Sequence, residues 1–150
     1  MHIKTKIPPP LVALTFGFLI NYTKDIFPKI EIRNEIIFGS FMIIIGLIII
    51  LSAIILFKKY QTTITPLNPS NATKLITDGI YKFSRNPMYL GLLLVLTSSG
   101  IYFGAWLSLL LAPLFCFLIT TLQIVPEEEA MFKLFGESFV EYTKKVRRWI

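Results

Sequence analysis

Two long stretches without any charged residue constrain this chain more than any other feature. Ile36 to Phe57 is 22 residues long and contains no Asp, Glu, Lys or Arg. As a helix rising about 1.5 Å per residue, it would be roughly 33 Å long, enough to cross a hydrocarbon core of about 30 Å. The second stretch, Met88 to Pro126, has 39 residues. It is too long for one crossing and suits two, with Gly100 and Gly104 supplying a permissive turn between them.

A shorter apolar block, Leu11 to Ile20, comes near the start of the chain and follows Pro8-Pro9-Pro10. Proline is favoured in the first turn of a helix, because the N–H it lacks would have no partner there. A secretory signal peptide would show a similar basic start and short apolar core. However, Asn21-Tyr22-Thr23-Lys24 lacks the small residues of a cleavage site. We therefore expect a first helix that is retained.

The apolar blocks predict one domain of the all-α class, an integral membrane protein with four transmembrane helices and a helical cytoplasmic C-terminal tail. The hydrophobic fraction of 54% over 150 residues agrees with this class. The expected segments are spans at about 9–22, 36–57, 88–101 and 105–125, a polar loop at 58–87 and the tail at 126–150.

Basic residues predict the orientation of these spans. The polar loop carries Lys58, Lys59, Lys74, Lys82 and Arg85, and the tail carries Lys133, Lys144, Lys145, Arg147 and Arg148, whereas the turn at 100–104 carries none. Since basic residues concentrate in cytoplasmic segments, we expect the loop, the tail and both termini to be cytoplasmic. The expected location is the cell (inner) membrane.

The net charge of +6 does not indicate a nucleic-acid partner. The basic residues border apolar spans and form no basic helix or aromatic-interleaved stripe, so lipid headgroups of the bilayer are the simpler partner. Cys116 stands alone in a predicted span, and the single histidine, His2, is far from it in sequence. This pair has neither metal-ligand spacing nor a nucleophile–base pattern, so we expect no metal.

Two polar clusters flank the last predicted hairpin. Arg85 and Asn86 precede Pro87 at the expected start of the third helix, and Glu127 to Glu129 follow the fourth span. Taken separately, each of these residues has a structural explanation. Arg85 would anchor the chain to lipid headgroups, Tyr89 would be an interfacial aromatic residue, and the glutamates would be first-turn acids that a helix dipole favours. A hairpin, however, returns both clusters to one membrane face. There they could share a ligand that carries both a carboxylate and a cation.

The residues of these clusters resemble a known family. The pattern is Gly79-x-Tyr81-x-x-Ser84-Arg85-Asn86-Pro87-x-Tyr89-x-Gly91, then the glutamate cluster, then Phe135-Gly136-x-x-Phe139-x-x-Tyr142-x-x-x-Val146. It is similar to the membrane-embedded methyltransferases that include isoprenylcysteine carboxyl methyltransferase and phospholipid N-methyltransferases. The resemblance covers roughly 65–148, more than half of the chain, while the first two spans carry no motif.

The resemblance implies S-adenosylmethionine as the cofactor and gives its candidate contacts. It implies that Glu127 holds the methionine ammonium and that Arg85 supports the site electrostatically. Arg85 and Glu128 are the candidate catalytic residues, since Glu128 is the nearest carboxylate that could accept a proton from an amine acceptor. The implied cofactor-binding residues are Thr73, Lys74, Leu75, Ile76, Tyr81, Asn86, Pro87, Met88, Tyr89 and Glu127.

Three departures from the family pattern concern the methyl acceptor. Asn86 stands where the prenylcysteine enzymes have His, and an amide cannot titrate near neutral pH. Gln123, the candidate substrate-binding residue, replaces an Arg that lies four residues before the Glu in the carboxyl methyltransferases. The tail reads Val146-Arg147-Arg148 where a proline often follows the Val. These departures argue against carboxyl methylation of a prenylated cysteine.

The expected function is methyl transfer from S-adenosylmethionine to a membrane-associated or apolar small-molecule acceptor, namely a lipid, an amine, a thiol or a carboxylate. The alternative is a non-catalytic membrane protein, such as a small transporter subunit or assembly factor. In that case Arg85 and the glutamates would form a structural ion pair. Cofactor binding separates the two hypotheses.

Overall fold

The structure, a computed structural model, describes residues 8–26, 28–61 and 73–150. In these ranges it contains helices joined by turns and irregular segments, and no strand. Much of the predicted loop at 58–87, including the proline-rich connector Thr65 to Asn71, lies outside the described residues. The helices are α1 (Pro9–Thr23), α2 (Glu35–Lys59), α3 (Pro87–Phe103), α4 (Ser108–Ile119), α5 (Val125–Phe135) and α6 (Glu137–Lys145), with a 3-10 turn at Gly79–Lys82.

The all-helical class is confirmed for the described residues, together with two helical segments suited to span a membrane. These are Glu35–Lys59, with 25 residues, and the continuous segment Ser108–Phe135, with 28 residues. Helix α3 is apolar but shorter, with 17 residues, and α1 has 15. Four crossings, a cytoplasmic tail and the orientation of the termini stay predictions from the charge pattern.

The most extensive helix–helix contact joins α2 to α3 and depends on two glycines. A Cβ added at Gly46 would lie 2.8 Å from the carbonyl oxygen of Gly91, and a Cβ added at Gly91 would lie 2.6 Å from the carbonyl oxygen of Gly46. Small residues permit this approach of two backbones, and in lipid such van der Waals packing replaces the hydrophobic driving force available in water. The crossing therefore fixes the position of the start of α3 relative to α2.

The turn between α3 and α4 uses Gly104 rather than both glycines of the predicted turn. Gly104 ends α3 with φ of +59°, and its carbonyl oxygen accepts a hydrogen bond of 2.8 Å from the Ile30 amide. A left-handed glycine is the common way to end a helix. Gly100 lies within α3, close against Ser108. The hairpin of α3 and α4 therefore forms, as the sequence predicts.

Helix α4 continues into α5 through a π-helical segment at Thr120–Ile124. Pro126 lies in the first turn of α5. Its ring would clash with the carbonyl four residues earlier in a regular α-helix, and the wider π turn just before it gives that carbonyl room. The glutamate cluster is therefore carried on the same continuous helical path as the apolar segment.

Helix α6 is strongly amphipathic, and its apolar face carries Phe139 and Tyr142, which pack with Val146 and Leu75. After α6 the backbone extends, with Val146 at φ −127° and ψ 133°. Residues 146–149, called the C-terminal strap below, return to the start of α3. Trp149 packs against the core cluster that contains Tyr89 and Ile119.

Candidate functional site

The site forms where the start of α3 meets the start of α5. The Tyr89 hydroxyl donates a hydrogen bond of 2.5 Å to Glu127 Oε1. Tyr89 is buried, and Glu127 is half-buried. Among the described residues, no Lys, Arg or His side chain lies within the 4.0 Å distance of an ion pair with Glu127. Within the described part of the chain, the Glu127 carboxylate therefore has a neutral phenol as its partner and no countercharge.

Glu128, the next residue, has the opposite surroundings. Arg85 Nη2 donates to Glu128 Oε1 at 2.5 Å, and Arg148 donates to the same carboxylate from Nε at 3.0 and 3.1 Å and from Nη2 at 2.7 Å. Bidentate contacts of this kind are among the strongest ionic hydrogen bonds. The hydrogen bonds to Glu128 raise the pKa of Arg148. Two guanidinium groups thus share one carboxylate.

The C-terminal strap is attached to the start of α3 mainly through backbone carbonyls. The Arg85 amide donates to the Arg147 carbonyl at 3.0 Å, and Ser84 Oγ and Asn86 Nδ2 donate to the Arg148 carbonyl at 3.3 and 3.0 Å. Arg85 Nη1 reaches the carbonyls at the end of α6, 3.3 Å from Thr143 O and 3.2 Å from Val146 O. Arg85 and Asn86 thus hold the strap.

Tyr81 lies in the 3-10 turn, buried close to the same site. Its carbonyl accepts a hydrogen bond of 2.7 Å from the Tyr142 hydroxyl. Burial raises the pKa of Tyr81, and the neighbouring Tyr142 and Glu127 add to this effect. Burial also raises the pKa of Tyr142, with Arg85 opposing it. Both phenols therefore stay protonated at neutral pH, and Tyr142 remains a donor that fixes the turn.

The predicted cofactor loop, Thr73 to Ile76, is divided between three environments. Thr73 Oγ1 lies 3.5 Å from the Gln61 carbonyl, and Lys74 Nζ lies 4.0 Å from the centre of the Tyr60 ring, near the end of α2. Leu75 packs on the α6 cluster, whereas Ile76 packs with Tyr81 and Met88. The structure thus brings Leu75 and Ile76 towards the site residues and places Thr73 and Lys74 beside α2.

The remaining candidates lie on the helices. Pro87 is fully buried in the first turn of α3. Gln123 lies in the π segment, only 2% exposed, between α4 and the glutamates. Its side chain is therefore in the interior, on the helical path that carries Glu127.

Four residues of the site were not among the sequence candidates: Ser84, Tyr142, Arg148 and Trp149. Trp149 Nε1 donates to Thr120 Oγ1 at 3.2 Å, which joins the strap to the π segment. Ser84 is part of the recognised pattern, so a signal for it existed. The tail has several basic residues of equal appearance, and nothing in the sequence distinguishes the arginine that pairs with Glu128.

Comparison with known proteins adds the family. The family model described as phospholipid methyltransferase matches residues 34–138. The chain is 35% identical over 72 residues to protein-S-isoprenylcysteine O-methyltransferase of Schizosaccharomyces pombe, an alignment that covers 48% of this chain and 30% of that protein.

Plant relatives align over more of the chain. A probable protein-S-isoprenylcysteine O-methyltransferase of Oryza sativa subsp. indica is 27% identical over 138 residues, 91% of this chain and 72% of that protein. Protein-S-isoprenylcysteine O-methyltransferase B of Arabidopsis thaliana is 28% identical over 109 residues, 73% of this chain and 55% of that protein. The family match spans α2 to the start of α6 and includes Arg85, Tyr89, Glu127 and Glu128, so the chain belongs to the phospholipid methyltransferase family.

Proposed function

We propose that this protein transfers a methyl group from S-adenosylmethionine to a membrane-associated or apolar small-molecule acceptor. Family membership follows from the family match, whereas the activity of this chain is our proposal. The reason is that the alignments cover only between 30% and 72% of the relatives described above. We also propose that the two long apolar helices lie in the membrane, so that an apolar acceptor would reach the site from the bilayer.

The observation that carries the proposal is the difference in countercharge between Glu127 and Glu128. Glu128 is neutralised by two arginines, whereas the half-buried Glu127 has, among the described residues, the Tyr89 hydroxyl as its hydrogen-bond partner and no ion-pair partner. Removing a carboxylate from water without a countercharge is unfavourable. A cationic ligand would relieve this cost, and the ammonium and sulfonium groups of S-adenosylmethionine are both cations.

A cavity beside the predicted cofactor loop supports the same proposal. It has a volume of about 590 Å³ and lies between the loop and α6, bordered by Leu75, Tyr142 and Val146. Small-molecule sites commonly have volumes of about 300–1,000 Å³. Lys82, Lys145 and Glu141 also line this cavity, so it offers both signs of charge. The space is sufficient for a cofactor of this size next to Tyr142, on the α6 side of the predicted cofactor loop.

In this mechanism the protein itself forms no covalent bond to the cofactor or the acceptor. When bound, the cofactor would supply a methyl group activated by its sulfonium: the acceptor lone pair would form a bond to the methyl carbon while the carbon–sulfur bond breaks, and the sulfur would leave as a neutral thioether. The residues therefore act mainly by positioning the acceptor about 3–3.5 Å from the methyl carbon and by excluding water. In this proposal Glu127 holds the cofactor's cation, Tyr89 orients that carboxylate, and Tyr81 and Tyr142 form the wall of the site.

The geometry favours a supporting role for Arg85 and Glu128 over proton transfer. A general base needs a lone pair directed at the proton it accepts, and the oxygens of Glu128 already accept hydrogen bonds from Arg85 and Arg148. We propose that the pair neutralises one of the two adjacent glutamates and holds α5 against α3. An amine acceptor would then lose its proton to solvent before it enters.

For the acceptor we propose a neutral or amine-bearing molecule such as a lipid headgroup, a thiol or an amine. Gln123 offers no positive charge to a substrate carboxylate, and a buried carboxylate without a cation is unfavourable. Asn86 cannot serve as a titrating base, and its amide is used to hold the strap. The relatives described above are named protein-S-isoprenylcysteine O-methyltransferases, so the proposed acceptor class would distinguish the present chain from them.

The alternative function, a non-catalytic membrane protein with a structural Arg–Glu cluster, accounts for Arg85 and Glu128 but not for Glu127. A purely structural cluster has no need of a half-buried carboxylate without a countercharge. Membership in the phospholipid methyltransferase family also favours the enzyme.

The test is methyl transfer from labelled S-adenosylmethionine by the detergent-purified protein. The acceptor panel contains ethanolamine phospholipids, small apolar thiols and amines, and a farnesylcysteine analogue. We expect labelling of a lipid, thiol or amine, and for an amine a rate that rises with pH as the ammonium deprotonates. A carboxylate acceptor, with a pKa near 4, would show no such rise above about pH 6. Labelling of the farnesylcysteine analogue alone would overturn the acceptor class, and no binding of the cofactor would overturn the enzyme.

A further inference from the structure

Arg148 joins the two helix starts that carry the proposed cofactor residues. Its guanidinium binds Glu128 at the start of α5, while its carbonyl accepts hydrogen bonds from Ser84 and Asn86 before α3. Glu128 directly follows Glu127, and Asn86 is three residues before Tyr89. One residue of the tail thus contacts the residue that follows Glu127 and a residue about one helical turn before Tyr89.

The exposures of the three charged side chains show which contact is open to solvent. The Arg148 side chain is 44% exposed, compared with 19% for Glu128 and 11% for Arg85. Arg85 is also held by two carbonyls at the end of α6, whereas the Arg148 guanidinium has Glu128 as its partner among the described residues. The Arg148–Glu128 contact is therefore the part of this cluster that can open without disturbing the interior.

We infer that Arg148 is a positioning residue for the cofactor site, a role that rests on the proposed function. By holding the strap to α5 and to the start of α3, it keeps the Glu127 carboxylate and the Tyr89 hydroxyl within hydrogen-bond distance of each other. It acts through Glu128 and Asn86 and touches neither the cofactor nor the acceptor. When the Arg148–Glu128 contact opens, the strap loosens and the Glu127 carboxylate loses its fixed direction.

The chain contains a matched control one residue away. Arg147 is exposed, and within the described part of the chain its side chain makes no hydrogen bond or ion pair, although its carbonyl accepts from the Arg85 amide. Arg147→Gln and Arg148→Gln therefore remove the same charge from the same strap. Arg148→Lys keeps the charge at 148 and removes the planar two-pronged geometry.

The experiment measures binding of S-adenosylmethionine to the full-length, detergent-purified chain by calorimetry. For Arg148→Gln we expect a dissociation constant roughly three- to tenfold higher at unchanged stoichiometry, the range for losing a partly exposed but bidentate ion pair. Arg148→Lys should lie between wild type and Arg148→Gln, and Arg147→Gln should match the wild type. A merely structural defect would instead lower the stoichiometry and leave the dissociation constant of the remaining protein unchanged.

A second measurement follows the strap without the cofactor. The chain has two tryptophans, so Trp106→Phe leaves Trp149 as the only tryptophan, which is excited selectively at wavelengths where tyrosine does not absorb. Arg148→Gln should make Trp149 emission shift to longer wavelength and become more accessible to aqueous acrylamide, whereas Arg147→Gln should change neither property.

Every outcome of these two experiments either supports the inference or overturns it. Equal dissociation constants for Arg148→Gln and Arg147→Gln, a freed Trp149 with unchanged cofactor affinity, or a loss of stoichiometry alone would overturn the inference and leave the proposed function intact. A wild-type protein that binds no S-adenosylmethionine would overturn the proposed function and this inference together.

Discussion

The crossing of α2 and α3 and the polar site at its end hold the same helix in two different ways. At the crossing, Gly46 and Gly91 bring two backbones together, and the contact depends on the absence of side chains. At the start of α3, Arg85, Asn86 and Tyr89 are held by directed hydrogen bonds to α5, α6 and the strap. The first contact is set by shape and the second by charge and direction.

This difference predicts how each region responds to change. In a close-packed contact a new atom has nowhere to go, so substitution acts on the folded state as a whole. In the polar site a lost partner leaves the helices in place and changes what the remaining groups can bind. We therefore expect substitutions at the crossing to lower stability, and substitutions in the site to lower affinity at nearly constant stability.

The largest effect is expected for Gly91→Leu. A side chain at Gly91 must displace the Gly46 carbonyl oxygen and Ile50, whose Cγ1 would lie 2.5 Å from the new Cβ. We expect a loss of at least about 3 kcal/mol in stability, the upper range for overpacking, seen as a lower midpoint of thermal unfolding in detergent. Gly17→Ala is the control, since a Cβ at Gly17 meets nothing within 4 Å. An unchanged midpoint for Gly91→Leu would show that α2 and α3 do not cross as described.

A smaller effect, confined to binding, is expected for Glu127→Gln. If Glu127 holds the cofactor's cation as proposed, removing its carboxylate should weaken S-adenosylmethionine binding by about 1.5–3 kcal/mol, or roughly ten- to a hundredfold. Glu129→Gln removes the same charge from the same turn at an exposed position and should bind as the wild type does. Calorimetry checks both. If the two variants bind equally, Glu127 is not the cofactor carboxylate.

The smallest effect is expected for Tyr89→Phe. This change removes the hydrogen bond that directs Glu127 but keeps both the carboxylate and the buried ring. Losing one such bond costs about 0.5–1.5 kcal/mol, or roughly two- to tenfold in affinity. Tyr22→Phe is the control, because Tyr22 is 71% exposed on α1. A loss as large as that of Glu127→Gln would mean that the Tyr89 hydroxyl itself contacts the ligand.

Local sequence predicted most of the fold, because long charge-free runs have few stable solutions apart from helices. The two spanning-length helices, the apolar α3 and the α3–α4 hairpin follow from those runs. The π segment before Pro126 does not. It depends on how the chain accommodates a proline without breaking a helix, and periodicity does not contain this information.

The candidate site was predicted as a meeting of two clusters, and the structure brings Arg85, Asn86 and Tyr89 together with Glu127 and Glu128. The sequence treated Glu127 and Glu128 as neighbours with separate roles, one for the cofactor and one for a proton. It did not show that Glu128 shares its charge with Arg85 and Arg148. Consecutive residues on a helix point about 100° apart, so adjacent positions meet different partners.

The sequence by itself determined that this chain is helical, rich in apolar segments and equipped with the polar residues of a methyltransferase family. These properties are set by residue type and spacing within a few turns of helix. Only the tertiary structure decided which of the two carboxylates pairs with arginines, which one has no ion-pair partner among the residues described, and which arginine of the tail returns to the cluster. Arg85 and Glu128 are 43 residues apart in sequence, and Asn86 and Arg148 are 62 apart. Such contacts depend on where the helices end in space, because charged and hydrogen-bonding groups interact with the groups that lie near them, however far apart the residues are in sequence.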